Sequence, residues 1–349
     1  MKTGAERTKR GFIKWVILVA FLIAINFYEL PYYFTIPGDA LELTDVIDVE
    51  GGYGHDGAFM LTTVRMGKAN VVNYLWARLS DQRELIPEEQ VRPEGETDEE
   101  YQHRQMMLMD SSQDLAVVVA YNHAGKTAYF ENYGVYVTAL IPDMDAARKL
   151  TTGDLIIAVD GKEVLEAESL LDLLADYQIG DEVTLTVVEG EAQKEVAVEI
   201  MPFPEELDET GERGGLGISN PMTNRSLIKE PEIEIDTNKI GGPSAGLMFS
   251  LEIYNQLIEA DITKGYNIAG TGSIDEEGQV GRIGGVKQKV IAADKAGADF
   301  FFAPNENGTE TSNYVEAKEA AEKMGMNMEI VPVDSFADAL AFLEQLPPN

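Results

Sequence analysis

The sequence predicts an α/β (α+β) domain that carries a small β-rich module, inserted or preceding, and follows one N-terminal transmembrane helix. Three observations lead there. The C-terminal third alternates strand-like and helix-like segments, as an α/β domain does. A stretch before it holds short strands around two helices. An apolar run near the N-terminus is long enough to cross a bilayer. With 349 residues, 44 % of them hydrophobic, the chain can bury two ordinary cores.

The apolar run is residues 15–34, WVILVAFLIAINFYELPYYF. At ~1.5 Å per residue it matches a bilayer core of roughly 30 Å. Lys2, Arg7, Lys9, Arg10 and Lys14 precede it. The positive-inside rule therefore keeps residues 1–14 cytoplasmic and puts everything after the span outside. No small-x-small cleavage site follows, so the expectation is a retained single-pass anchor in the cell membrane, with the lipid bilayer as a partner.

Residues 35–120 are read as an N-terminal segment with a strand at 58–64, a charged exposed loop with some helix at 81–105, and a helix at 106–120. Residues 121–202 form the small module: strands at 134–140 and 154–159, helices at 144–149 and 170–177, and a hairpin of 182–188 with 194–200. Residues 203–225, rich in Pro, Gly and acids, read as a linker. Residues 226–349 are the alternating domain. Its strands fall at 233–236, 268–274, 300–303 and 328–333, its helices at 245–258, 286–296, 313–324 and 336–346.

Composition excludes several functions. There is no cysteine, hence no disulfide framework, thiolate metal site or cysteine nucleophile, and no metal or other cofactor is expected. A net charge of −34 repels nucleic acid. No G-x-x-x-x-G-K-[ST] run occurs, so no nucleotide site of that type is expected.

Chemistry concentrates in two glycine-rich turns. Gly241-Gly242-Pro243-Ser244-Ala245-Gly246 joins a strand to a helix, which puts Ser244 at a helix N-terminus where unpaired N–H groups face outward. Gly242, Pro243 and Ala245 shape that turn and its oxyanion site. A serine beside Gly-Pro is also ordinary helix punctuation. A nucleophilic serine needs a base, and none of His55, His103 and His123 stands in a recognisable triad context. Lys287, in Ile283-Gly284-Gly285-Val286-Lys287, offers a Ser–Lys pair, although a surface lysine is the plainer reading. Its apolar neighbours favour the neutral amine by desolvation. Lys289 reads as a surface lysine.

GGPSAG, then a TG turn, then IGGVKQK resembles the proteolytic domain of the Lon family from about residue 233 to 298 and, more loosely, to the C-terminus. The resemblance implies Ser244 as nucleophile, Lys287 as its partner, and Thr271 as a hydroxyl that positions the lysine. Gly241 and Ser273 depart from it, standing where many Lon proteases carry aspartate and glutamate. The run DMDAARKLTTGDLIIAVDGKEV, with GDEVTLTVVEG and KEVAVEI, resembles bacterial PDZ domains. That likeness implies a strand-adding peptide site, with the amides of Tyr133, Gly134 and Val135 free for a peptide carboxylate. Anchor, PDZ module and proteolytic domain together resemble the PDZ-bearing Lon-like peptidases of Gram-positive bacterial membranes. In that family the segment before the PDZ module contributes to the protease fold. The implied activity is an ATP-independent serine endopeptidase acting on peptides or exposed protein segments. A membrane-tethered PDZ scaffold with an inactive peptidase-like domain is the competing reading.

Overall fold

The computed structural model describes residues 12, 14–17, 19 and 25–349, apart from 94, 191, 238 and 239. The chain divides into two units: Met1–Ala128 with Lys229–Asn349, and Tyr129–Ile228.

The first unit is built on a six-stranded mixed sheet. Its strands are β1 (Glu29–Glu42), β2 (Ala58–Asn70), β3 (Glu84–Pro87), β4 (Asn267–Gly270), β5 (Phe300–Pro304) and β6 (Glu329–Val333). They lie in the order β6-β5-β4-β2-β1-β3. The β6–β5, β5–β4 and β4–β2 pairs are parallel, and the pairs of β1 with β2 and with β3 are antiparallel. Half of the sheet thus comes from the chain before residue 129.

The longer helices that accompany it among the described residues after residue 28 are α1 (Val71–Leu79), α2 (Asp98–His123), α3 (Gly246–Leu257), α4 (Val286–Ala296), α5 (Asn313–Met324) and α6 (Phe336–Gln345). Buried strands of a parallel sheet are apolar on both faces, as Phe300, Phe301 and Phe302 of β5 are. Val286, Val290 and Ala293 of α4 close over Met60, Ala269 and Phe301 from one side. Helix α3 is buried on nearly every residue, with only Tyr254 partly exposed, and packs against α2.

Two sequence expectations change here. No helix among the described residues is long and apolar enough to cross a membrane. Residues 18 and 20–24, the middle of the expected span, lie outside the described residues, and residues 29–34 belong to β1 rather than to a helix. The alternation of Tyr33 and Thr35, both buried, with more open neighbours is a strand pattern that the apolar run obscured. Residues 81–105 are also more ordered than a loop. Helix α2 starts at Asp98 behind a capping box in which Thr97 accepts from Glu100 N while Glu100 accepts from Thr97 N.

The second unit is built on a sheet whose strands run in the order Ala192–Glu199, Glu182–Glu189, Leu155–Val159, Thr127–Tyr136, Met222–Glu230, the first three neighbouring pairs being antiparallel. The helix Ala167–Leu174 covers it, and its core includes Val135, Ile156, Leu170, Leu185 and Val198. The expected linker at 203–225 is not a free connection. It contributes strands Gly214–Gly215, paired with Met201–Pro202, and Ile218–Ser219, paired with Ala139–Leu140.

Candidate active site

Ser244 lies half-buried in the turn that opens α3, and that turn is held from two sides. Gly242 takes φ +94°, a conformation that glycine adopts without strain. Its N–H donates to Gln105 O of α2 at 2.8 Å, and Ser112 Oγ of the same helix donates to Pro243 O at 3.1 Å. The Ser244 carbonyl accepts from Gly272 N and from Thr271 Oγ1, both at 2.9 Å. Thr271 therefore fixes the serine backbone, not a lysine.

Gly242 spends its amide on Gln105 and Pro243 has none, so neither is an oxyanion donor. Among the described residues, no backbone carbonyl accepts the amides of Ser244 or Ala245. These two stand at the N-terminus of a twelve-residue helix, where fixed donors suit a developing negative charge.

The lysine against Ser244 is Lys289, not Lys287. Lys289 Nζ lies 2.8 Å from Ser244 Oγ and donates to Thr62 O, also at 2.8 Å. It is 4 % exposed, and burial pushes its pKa down to about 7. The cause is helical geometry. Residues on a helix are ~100° apart, so two lysines separated by one residue point roughly 200° apart. Val286, Lys289, Val290 and Ala293 form the buried i, i+3, i+4, i+7 face. Lys287 is only half-buried, on the other side, where its charge adds to the main effect of Lys323 in holding the exposed Asp81 carboxyl low.

Thr62, which the sequence reading did not single out, completes the arrangement. It sits on β2 beside β4, and its Oγ1 donates to Gly270 O at 3.0 Å. Its carbonyl is thereby fixed as the acceptor for Lys289. A cavity of about 530 Å³ opens over Ser244, lined by Leu41, Leu61, Ile86, Tyr101, Met109 and Ile240 among others. The exposed Asp39–Arg65 pair, 2.7 Å apart, also borders it. No histidine lines this cavity. His55 Nε2 is bonded to Asn255 O and His123 Nδ1 to Val119 O, each at 2.8 Å. No group of residues among those described could hold a metal ion.

Residues 228–344 match the Lon protease (S16) C-terminal proteolytic domain. Residues 105–200 match the PDZ domain. Relatives include Lon proteases of Aster yellows witches'-broom phytoplasma, 28 % identical over 47 % of this chain and 19 % of that protein, and of Campylobacter jejuni, 38 % identical over 29 % and 12 %. That of Mycoplasma mobile is 25 % identical over 54 % of this chain and 26 % of its own length. The chain thus spans 26 % or less of the length of these relatives. Among solved structures, the PDZ domain of an SdrC-like protein from Listeria monocytogenes is 25 % identical and covers 25 % of this chain and 86 % of its own, with a TM-score of 0.23. A Geobacillus thermodenitrificans structure is 34 % identical over 25 % and 94 %, with a TM-score of 0.22.

The Lon-like pattern departs at Gly241 for a reason visible in the packing. A Cβ there would meet Gln105 Cβ at 2.9 Å and its carbonyl carbon at 3.2 Å. Helix α2 occupies the space that an aspartate would need. Gly241→Asp should therefore destabilise the first unit by about 1–3 kcal/mol. A thermal melt unchanged from the parent chain would refute this.

In the PDZ-like unit, Tyr133, Gly134 and Val135 do not form a free carboxylate loop. They lie inside a strand, where Gly134 N donates to Leu165 O at 3.1 Å and buried Val135 pairs with Ile156. Leu216 and Gly217, in the Gly-Gly-Leu-Gly stretch assigned to the linker, have amides that no backbone carbonyl accepts among the described residues. Gly217 has φ +89° there, with Met144 Cβ at 2.6 Å from where a Cβ would be.

Proposed function

We propose that this chain is a membrane-anchored serine endopeptidase, working outside the cytoplasm without nucleotide, with Ser244 as nucleophile and Lys289 as general base. The observation that carries the reading is the buried Lys289 Nζ, 2.8 Å from Ser244 Oγ under an open cavity. The match to the Lon proteolytic domain supports it.

Neutral Lys289 takes the proton as Ser244 Oγ attacks a peptide carbonyl, and the oxyanion accepts from the amides of Ser244 and Ala245. As the C–N bond breaks, the Lys289 ammonium returns its proton to the leaving nitrogen. A water deprotonated by neutral Lys289 then attacks the acyl ester, and the Lys289 ammonium returns that proton to Ser244 Oγ as the acid product leaves. Thr62 O orients Nζ throughout. The PDZ-like unit captures an extended peptide end, with the Leu216 and Gly217 amides as the carboxylate donors.

The test is cleavage of an unstructured protein by the full chain without nucleotide. The wild type should cut and Ser244→Ala should not. Equal cutting by both would sink the assignment, and no cutting across many substrates would favour a scaffold.

A further inference from the structure

Helix α1 carries Val72, Leu75, Trp76 and Leu79 at i, i+3, i+4 and i+7, the spacing of a core-facing stripe. The stripe faces outward instead: Leu79 is 88 % exposed, Leu75 58 %, Trp76 55 % and Val72 47 %. Only Ala77 of this helix is buried. A contiguous apolar face of this kind marks an interaction surface.

What lies beside α1 identifies the occupant. Residues 15–27, WVILVAFLIAINF, carry no charge. That run meets the fold where α1 begins. Asn70 caps α1 by accepting from Asn73 N at 2.8 Å, and its Nδ2 donates to Asn26 O at 2.9 Å and Asn26 Oδ1 at 3.1 Å. Phe27 and Tyr28, at the end of the run, are exposed. The cations fit as well. The Arg83 guanidinium lies 3.8 Å over the Trp76 ring, and Arg78 donates to Tyr74 Oη at 3.1 Å. Asp81, the one acidic residue in 71–83, is paired with Lys323. Aliphatic side chains, an indole and flanking arginines make up an interfacial helix.

We propose that α1 lies in the headgroup region of the bilayer and seats the first unit on the membrane. This rests on the anchor reading of the N-terminal run. The chain has two tryptophans, Trp15 and Trp76, so each can be read alone. The full chain is reconstituted into phosphatidylcholine–phosphatidylglycerol vesicles containing bromolipids. Trp15→Phe leaves Trp76 as reporter, and Trp76→Phe leaves Trp15. Trp76 should emit to the blue of its emission in detergent and be quenched most by bromines nearest the headgroups. Adding Leu75→Glu with Leu79→Glu should return that quenching to background while leaving Trp15 quenched. Quenching of Trp15 but not Trp76 overturns the proposal and leaves the anchor standing. Quenching of neither overturns both. Trp76 shielded from lipid and from iodide, in a species of doubled mass, assigns the stripe to a second copy and also overturns it.

Discussion

Replacing Lys289 with alanine should lower peptidase kcat/KM by about 10³-fold or more, whereas Lys287→Ala should leave it within about twofold. Lys289 Nζ is the amine in contact with Ser244 Oγ, and burial holds it at about 7, where a base has both the neutral form and useful basicity. Lys287 lies half-exposed on the other side of α4, near the exposed Asp81. Lys289→Arg should fail like alanine, because a guanidinium keeps its proton. Initial rates on an unstructured substrate decide the matter, with circular dichroism to check folding. Strong loss in Lys287→Ala with Lys289→Ala active would reverse the assignment.

The two lysines also show how far the sequence could be read. The strand–helix alternation of residues 226–349 was legible, because each element there carries its own period and its own Gly or Ser boundary. The turn holding Ser244 was legible for the same reason. Choosing between Lys287 and Lys289 required the 3.6-residue period within α4. Val286, Val290 and Ala293 define the buried face, and Lys289 is the lysine on it. Distance from the glycine turn was the wrong criterion. Thr62 could not have been found locally, since it reaches the site through the β2–β4 pairing, whose partners are more than 200 residues apart. Strand β1 was hidden because its aromatic start continues an apolar run, and hydropathy alone does not separate a strand entry from the end of a span. Gln105 and Ser112 were likewise unreadable as supports, because their role is set by α2 packing against the turn that opens α3.

Burial of the Lys289 amine has a thermodynamic consequence that can be measured apart from catalysis. The unfolded chain holds this lysine at about 10.5 and the folded chain at about 7. Below about pH 7 both states are protonated, and the fold carries a buried ammonium at full cost. Between about 7 and 10.5 the unfolded state binds the extra proton, so stability rises with pH through that window. Above it both states are neutral and the cost is gone. A shift of this size corresponds to something on the order of 5 kcal/mol. Lys289→Met removes the charge but leaves Thr62 O and Ser244 Oγ without their partner, a loss of about 1–3 kcal/mol. The variant should therefore be more stable than the parent at pH 6, by a few kcal/mol, and lose that advantage as pH rises, becoming the less stable protein near pH 10. Denaturant midpoints of the two chains at pH 6, 8 and 9.5 should converge. The wild-type peptidase rate should rise through about pH 7 and level off above it, since only the neutral amine can accept the Ser244 proton. Parallel stability curves would mean that Lys289 keeps an ordinary pKa in the folded protein, and the assignment of its amine as base would fall with them.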